Sequence, residues 1–169
     1  MDFRNIVLIG LMGTGKSTVG SKLAERLGWS YVDTDERIEA EAGMRISEIF
    51  AERGEAGFRQ AESAMIEKTL KGMSQVVSTG GGAVLDHRNC EAMLRGGLVV
   101  ALTATEETII ERVRYDQNRP LVNGNVEERV RSLMEARRNA YDFAHVRIDT
   151  TDVPVDAIVV GILSRMGKA

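Results

Sequence analysis

The run Gly10-Leu11-Met12-Gly13-Thr14-Gly15-Lys16-Ser17 matches G-x-x-x-x-G-K-[ST] without a gap. The chemistry of that pattern is phosphate binding. Glycines let the backbone curl so that successive N–H groups point at phosphate oxygens, and a helix N-terminus behind them adds positive potential. Lys16 has the reach for β- and γ-phosphates, and the Ser17 hydroxyl suits Mg²⁺. Gly13, Thr14, Gly15, Lys16, Ser17 and Thr18 are therefore the expected contacts to a nucleoside triphosphate. The bland alternative, a glycine-rich turn with a chance lysine, does not explain why the run follows an apolar strand and opens a helical pattern. The loop leaves the acceptor open, because switches, motors and kinases share it.

Further along, Asp33-Thr34-Asp35 sets two carboxylates two positions apart. Phosphoryl transfer needs a metal to neutralise phosphate charge and a group to orient the attacking hydroxyl. Asp33 suits a metal-bound water. Asp35 suits the acceptor hydroxyl or its proton, or it is simply the N-cap of a helix starting at Glu36. Arg59, Arg119 and Arg137 matter as a set, since a guanidinium fork matches carboxylate or phosphate in two-point contact. Spacing alone does not choose between Arg137 and its neighbour Arg138. Gly80-Gly81-Gly82 is the kind of run found where a backbone must approach a ligand closely, or it is a flexible turn. Arg119-Pro120-Leu121 lies in a polar stretch. On a closing loop, its arginine would stabilise transition-state charge and the loop would exclude water.

The elements that must position these residues read as an alternation of strand and helix. Strands are expected at Ile6–Ile9, Tyr31-Val32, Gln75–Ser78, Leu98–Leu102 and Val146–Ile148. Helices are expected at Thr18–Leu27, Ile38–Ala42, Asp86–Leu94, Thr105–Val113, Val126–Tyr141 and Val155–Met166. A further helical stretch, Ile46–Leu70, is expected to start near Ser47 and to break around Gly54 and Gly57. Residues 114–125 read as a loop. This order implies an α/β fold with a parallel sheet. Three of the motifs directly follow strands, where such sheets bind ligands.

A length of 169 residues suits one domain, residues 1–169. The net charge of −3 argues against a protein that lives by binding nucleic acid. Cys90 is the single cysteine, which rules out an internal disulfide and fits a reducing compartment. It reads as an inert thiol. No apolar run approaches a bilayer span, and the first apolar stretch is too short for a signal sequence, so a cytoplasmic protein without membrane contact is expected. His87 and His145 form no zinc pattern. Trp29 is expected to pack against the sheet, and Met65, Met73, Met93 and Met134 to fill the core. Arg129 and Arg131 with Glu127 and Glu128 read as a solvated helix face.

Taken together, the loop Gly10–Ser17, the Asp33-Thr34-Asp35 triplet, Phe58-Arg59 with Glu62, Gly80-Gly81-Gly82, Arg119-Pro120-Leu121 and Arg137-x-x-x-Tyr141 resemble shikimate kinase, from nearly the first strand to the last helix. The resemblance implies a three-layer P-loop kinase fold, with a five-stranded parallel sheet flanked by helices. It implies ATP and shikimate giving ADP and shikimate 3-phosphate, a step towards chorismate and the aromatic amino acids, with ATP and Mg²⁺ required. An acceptor-binding part near 33–61, a lid near 112–125 and a monomer are implied too. By the family pattern, Asp35 contacts shikimate hydroxyls and is the base, with Lys16 and Arg119 acting on the phosphates. Arg59 and Arg137 bind the shikimate carboxylate, and Gly80, Gly81 and Gly82 support the acceptor. Ser17 binds the metal, Asp33 supports it through water, and Arg112 and Pro154 flank adenine. Asn139 stands where the family often has proline, and Thr150–Pro154 lacks an arginine that some members use near adenine.

Rival readings are a gluconate kinase, a nucleoside monophosphate kinase, a guanine-nucleotide switch or an ATP-binding relic. The first would not be expected to combine the triplet with the triple glycine. The second needs a base pocket that has no sequence signal, and the third needs an Asn-Lys-x-Asp string that does not occur. The intact set Lys16, Asp35, Arg59, Arg119 and Arg137 argues against the last.

Overall fold

The computed structural model describes residues 3–115 and 125–167. Five strands, β1 (Asn5–Ile9), β2 (Ser30–Asp33), β3 (Gln75–Ser78), β4 (Leu98–Thr103) and β5 (Val146–Asp149), form one sheet in the order β2-β3-β1-β4-β5. Every pairing is parallel. β1 is central, flanked by β3 and β4, with Ile6 opposite both Val76 and Leu98. The chain leaves β1 towards one edge and later crosses to the other, so a topological switch point falls at the carboxyl end of β1, where the phosphate loop begins.

The inner strands β1, β3 and β4 are buried on both faces because helices cover both, while the edge strands β2 and β5 are partly exposed. On one face, Ile6, Leu8, Val76, Val100 and Leu102 meet Val19 and Leu23 of α1 (Lys16–Leu27) and Ile158, Val159 and Ile162 of α7 (Val155–Arg165). Trp29 packs there, as expected. On the other face, Val7, Ile9, Val77, Val99 and Ala101 meet α3 (Ile46–Leu70), α4 (His87–Gly96), α5 (Glu106–Arg114) and α6 (Val126–Ala136). A smaller core of Ile38, Ile49, Phe58 and Met65 holds α2 (Thr34–Ala42) on α3.

Element existence follows the sequence reading, and the ends differ for local reasons. α1 begins at Lys16, not Thr18, because Gly15 at φ 98° already accepts the Val19 N–H at 2.9 Å. The cap of α2 is Asp33, whose Oδ1 accepts from the N–H groups of Asp35 and Glu36 at 2.9 and 3.2 Å. Asp35 therefore lies in the first turn and is not the cap. α3 begins at Ile46, where Glu48 accepts the Arg45 N–H at 2.7 Å. Its break falls at Gly54 alone, at φ 69° and ψ 179°. α6 stops at Ala136 and does not reach Tyr141. Residues 137–143 instead form a chain of turns, because the Tyr141 hydroxyl is drawn away to donate to the Gly81 carbonyl at 2.8 Å. Met65 and Met93 are core residues, but Met73 is 66% exposed in the turn before β3. Cys90 is buried with its thiol directed at the Val84 carbonyl, and burial pushes its pKa up. The α6 face carrying Arg129, Arg131, Glu127 and Glu128 is exposed, and Arg131 reaches Glu106 of α5 at 2.9 Å.

Candidate active site

The phosphate loop closes on itself through hydrogen bonds from its own side chains. Gly10, at φ 146°, has no room for a side chain, since a Cβ would lie 2.4 Å from the Leu102 carbonyl oxygen of β4. Thr14 Oγ1 donates to the Leu11 carbonyl at 2.7 Å. The Lys16 ammonium is buried and donates to the Gly10 and Leu11 carbonyls at 2.6 and 2.9 Å. The lysine is thus folded along the loop it serves, at the N-terminus of α1, with Ser17 and Thr18 in the first turn.

A second layer ties the loop to the far end of the sheet. Arg112 donates to the Gly13 carbonyl at 3.0 Å, and to the hydroxyl and carbonyl of Thr150 at 3.1 and 3.0 Å. The Thr150 hydroxyl shares its proton between the carbonyls of Thr14 and Thr103, at 2.8 and 3.0 Å. Thr150 is 1% exposed and did not stand out in the sequence, where only its place after a strand marks it. Beside it lies a cavity of about 530 Å³ between α5 and the start of α7, lined by Arg112, Tyr115, Asp152 and Pro154 among others. Arg112 and Pro154, expected together, do share a pocket.

The larger cavity, about 890 Å³, opens between the phosphate loop and the α2–α3 unit. Lys16, Ser17, Asp33, Asp35, Arg59, Gly80, Gly81, Gly82 and Arg137 all line it. Arg137 does so from the C-terminus of α6, whereas Arg138 is exposed and is not among the lining residues. Arg119 lies outside the described residues.

The triple glycine forms the floor of this cavity, and each missing side chain is the seat of a different functional group. A Cβ on Gly80 would lie 2.9 Å from Asp35 Oδ1 and 3.1 Å from Glu62 Oε2. On Gly81 it would lie 3.0 Å from an Arg137 guanidinium nitrogen. On Gly82 it would lie 2.5 and 2.8 Å from those of Arg59. The run is therefore a shaped surface, not a flexible turn.

Glu62 completes the arrangement. Its carboxylate is 1% exposed and accepts from Arg59 at 2.8 Å. Burial raises its pKa, and the charges of Arg59 and Arg137 pull it back down. The two guanidinium groups present N–H forks to the cavity beside this buried carboxylate, which suits an anionic ligand group. The sequence placed Glu62 beside Arg59 without giving it a task; its spacing of three on a helix was the available signal. Tyr141 fixes the chain after Arg137 by its bond to Gly81, and burial pushes its phenol up.

A family model described as shikimate kinase matches residues 12–167. A shikimate kinase of Geobacter sulfurreducens is 48% identical over 163 residues, covering 95% of this chain and 90% of that protein. One of Persephonella marina is 45% identical over 163 residues, covering 96% and 99%. Among solved structures, the shikimate kinase of Acinetobacter baumannii in complex with shikimate superposes with a TM-score of 0.90 at 37% identity, covering 96% of this chain and 92% of that one. With the cavity, the phosphate loop and the glycine floor in one place, these matches establish that the chain belongs to the shikimate kinase family, the enzymes that phosphorylate shikimate with ATP.

Proposed function

We propose that this chain transfers the γ-phosphoryl group of ATP to the 3-hydroxyl of shikimate through the residues that meet at the glycine floor. One observation carries the assignment. Gly80, Gly81 and Gly82 seat Asp35, Arg137 and Arg59 in the cavity that also holds Lys16 and Ser17. Shikimate is a small anionic polyol, so it needs cationic forks for its carboxylate and an acceptor for its hydroxyls. Arg59 and Arg137 supply the forks, with the buried Glu62 carboxylate bonded to Arg59 and within the electrostatic reach of Arg137.

Asp35 accepts a hydrogen bond from the attacking hydroxyl and takes its proton as the oxygen bonds to the γ-phosphorus. The bond from that phosphorus to the bridging oxygen breaks, and ADP leaves with the electron pair. Lys16 leaves the Gly10 and Leu11 carbonyls for the β- and γ-phosphate oxygens. Arg119 reaches the transferred group from a lid near 112–125, over an acceptor-binding part near 33–61. Arg112 and Pro154 flank the adenine, and Arg112 holds the Gly13 carbonyl so that the loop keeps its N–H groups inward.

The donor set fits Mg²⁺. Among the described residues, no group of three or more His, Cys, Asp or Glu side chains stands ready to hold a metal. Mg²⁺ keeps several waters and takes few protein ligands beside substrate phosphates. Ser17 would be its direct ligand and Asp33 would hold one of its waters. When bound, the ion neutralises charge on the phosphates. Asp33 spends only Oδ1 on capping α2.

We read the enzyme as a cytoplasmic monomer; no helix among the described residues is long and apolar enough to cross a membrane. The test is a coupled ADP-release assay with Mg²⁺–ATP and shikimate, gluconate, a nucleoside monophosphate or no acceptor. ADP release that requires shikimate is expected. Release with gluconate instead would overturn the arginine assignment.

A further inference from the structure

The corner beneath the expected metal ligand holds a polar group with no task so far. Tyr31 sits on β2 with its ring against α1. A Cβ on Gly20 would lie 2.5 Å from Tyr31 Cε2, so the glycine at this point is what lets the ring slide under the helix. Gly20 and Ser17 are three apart on α1 and share a face. The ring is thereby aimed one turn back, at Ser17. Tyr31 is opposite Val76 in the sheet, and two positions on, Asp33 is opposite Ser78, so the side chains of Tyr31, Asp33 and Ser78 point to the same face.

The Tyr31 hydroxyl is buried there. Burial raises its pKa most, while the Ser17 and Ser78 hydroxyls lower it and the Asp33 and Glu36 carboxylates raise it. A phenol hydroxyl can donate one hydrogen bond while accepting another. Both serines are close enough to act on it, yet neither closes a hydrogen bond of full geometry, and the oxygen is left without a partner among the described residues. A buried hydroxyl in that state costs stability. Ser17 has the complementary need. A serine that gives a lone pair to a cation must still place its O–H on an acceptor, and the direction of that O–H sets the direction of the lone pair.

We propose that Tyr31 is a positioning residue for Ser17: its phenol oxygen accepts the Ser17 O–H and donates its own to Ser78, which turns the Ser17 lone pair towards Mg²⁺. The inference rests on the reading of Ser17 as the metal ligand. It gives β2 a second contribution to the metal site, besides Asp33, and assigns Ser78 at the end of β3 as the outer member of the relay.

The test is calorimetry of an ATP analogue with a non-hydrolysable β–γ bridge, titrated across a range of Mg²⁺ concentrations and also without Mg²⁺. It compares the wild type with Tyr31→Phe, Ser78→Ala and Ser17→Ala, each also melted without ligand. Tyr31→Phe is expected to raise the half-saturating Mg²⁺ concentration roughly fivefold, the effect of one lost neutral hydrogen bond. Affinity without Mg²⁺ should not move, and the ligand-free melting temperature should hold or rise. Ser78→Ala should shift the Mg²⁺ midpoint the same way, by less. An unmoved midpoint in Tyr31→Phe, with the Mg²⁺ effect lost in Ser17→Ala, overturns the relay and leaves Ser17 as the ligand. Equal loss of affinity with and without Mg²⁺ in Tyr31→Phe means a packing role and overturns it too. Retention of the full Mg²⁺ effect in Ser17→Ala removes the reading of Ser17, and the relay with it.

Discussion

Gly82→Ala is the perturbation that tests the glycine floor most directly. Gly82 has φ −93° and ψ 0°, a conformation alanine adopts without left-handed strain. The new methyl would stand 2.5 Å from Arg59 Nη2, 2.8 Å from Nη1 and 3.0 Å from Cζ. Those contacts are too close to persist, and the movable partner is the end of a long side chain, not backbone. Arg59 must therefore swing off the floor, and its 2.8 Å bond to Glu62 goes with it. The fold loses the ion-pair partner of a buried carboxylate, and the site loses one of its two carboxylate forks.

A hydrogen bond to a charged group is worth about 1.5–3 kcal/mol, so the shikimate KM should rise roughly ten- to a hundredfold. The KM for ATP should stay within about twofold, since no phosphate-loop atom is among the three nearest to the new methyl. Steady-state kinetics varying each substrate in turn gives both numbers, and the melting temperature should fall by a few degrees, since the buried Glu62 carboxylate loses its Arg59 partner. Arg59→Ala combined with Gly82→Ala should cost little more than either alone, because both remove one interaction. An unchanged shikimate KM, or additive losses in the double variant, would refute the seating of Arg59 on Gly82. Gly97→Ala is the contrast. Its Cβ would lie 2.4 Å from the Asn5 carbonyl oxygen of β1, a backbone atom that cannot swing away, so that variant should lose stability with no change in substrate preference.

Lys16→Met should abolish turnover while circular dichroism keeps its native form, because the ammonium lies along the phosphate loop, bonded to the Gly10 and Leu11 carbonyls at 2.6 and 2.9 Å. Arg137→Ala should weaken shikimate binding and spare ATP binding by calorimetry, whereas Arg138→Ala, exposed and off the cavity, should leave both intact. Asn5→Leu should destabilise by about 3 kcal/mol in urea unfolding. It strips buried partners from the Gly72 and Gly96 carbonyls, each 3.0 Å away, and from the Gln75 amide at 3.2 Å. Glu62 has a folded pKa raised above its ordinary 4.5, so its contribution to stability is present in acid and is lost as pH rises through the folded value. Glu62→Gln should therefore gain in melting temperature relative to wild type as pH rises above 4.5, while its shikimate KM rises.

What was legible in the sequence is what depends on local spacing. The phosphate loop could be read because one continuous run carries all its functions. The parallel sheet could be read because its inner strands β1, β3 and β4 are short apolar runs, and a strand covered on both faces keeps no alternation. The failures fell where a distant contact overrides local preference. Residues 126–141 have an unbroken helical pattern, yet α6 ends at Ala136 because the Tyr141 hydroxyl finds the Gly81 carbonyl from sixty positions away in the chain. Asp35 looked like a cap because a cap and an active-site carboxylate share one residue type. Only the hydrogen bonds to Asp33 separate the two.

The residues left without a task in the sequence share a different property. Thr150, Glu62 and Tyr31 act on another functional side chain or on the backbone beneath one, and a residue of that kind has no motif of its own. Thr150 matters because Arg112 and the Thr14 carbonyl meet on its hydroxyl. Tyr31 matters because Gly20 makes room for its ring below Ser17. In both cases the informative partner in the sequence is a residue already singled out for something else. The same holds for the triple glycine. Its composition announces a close approach of backbone to something, but not that three different side chains occupy the space left by three absent Cβ atoms. A glycine run that looks like freedom in the sequence is, in the folded chain, a constraint on where Asp35, Arg137 and Arg59 can stand.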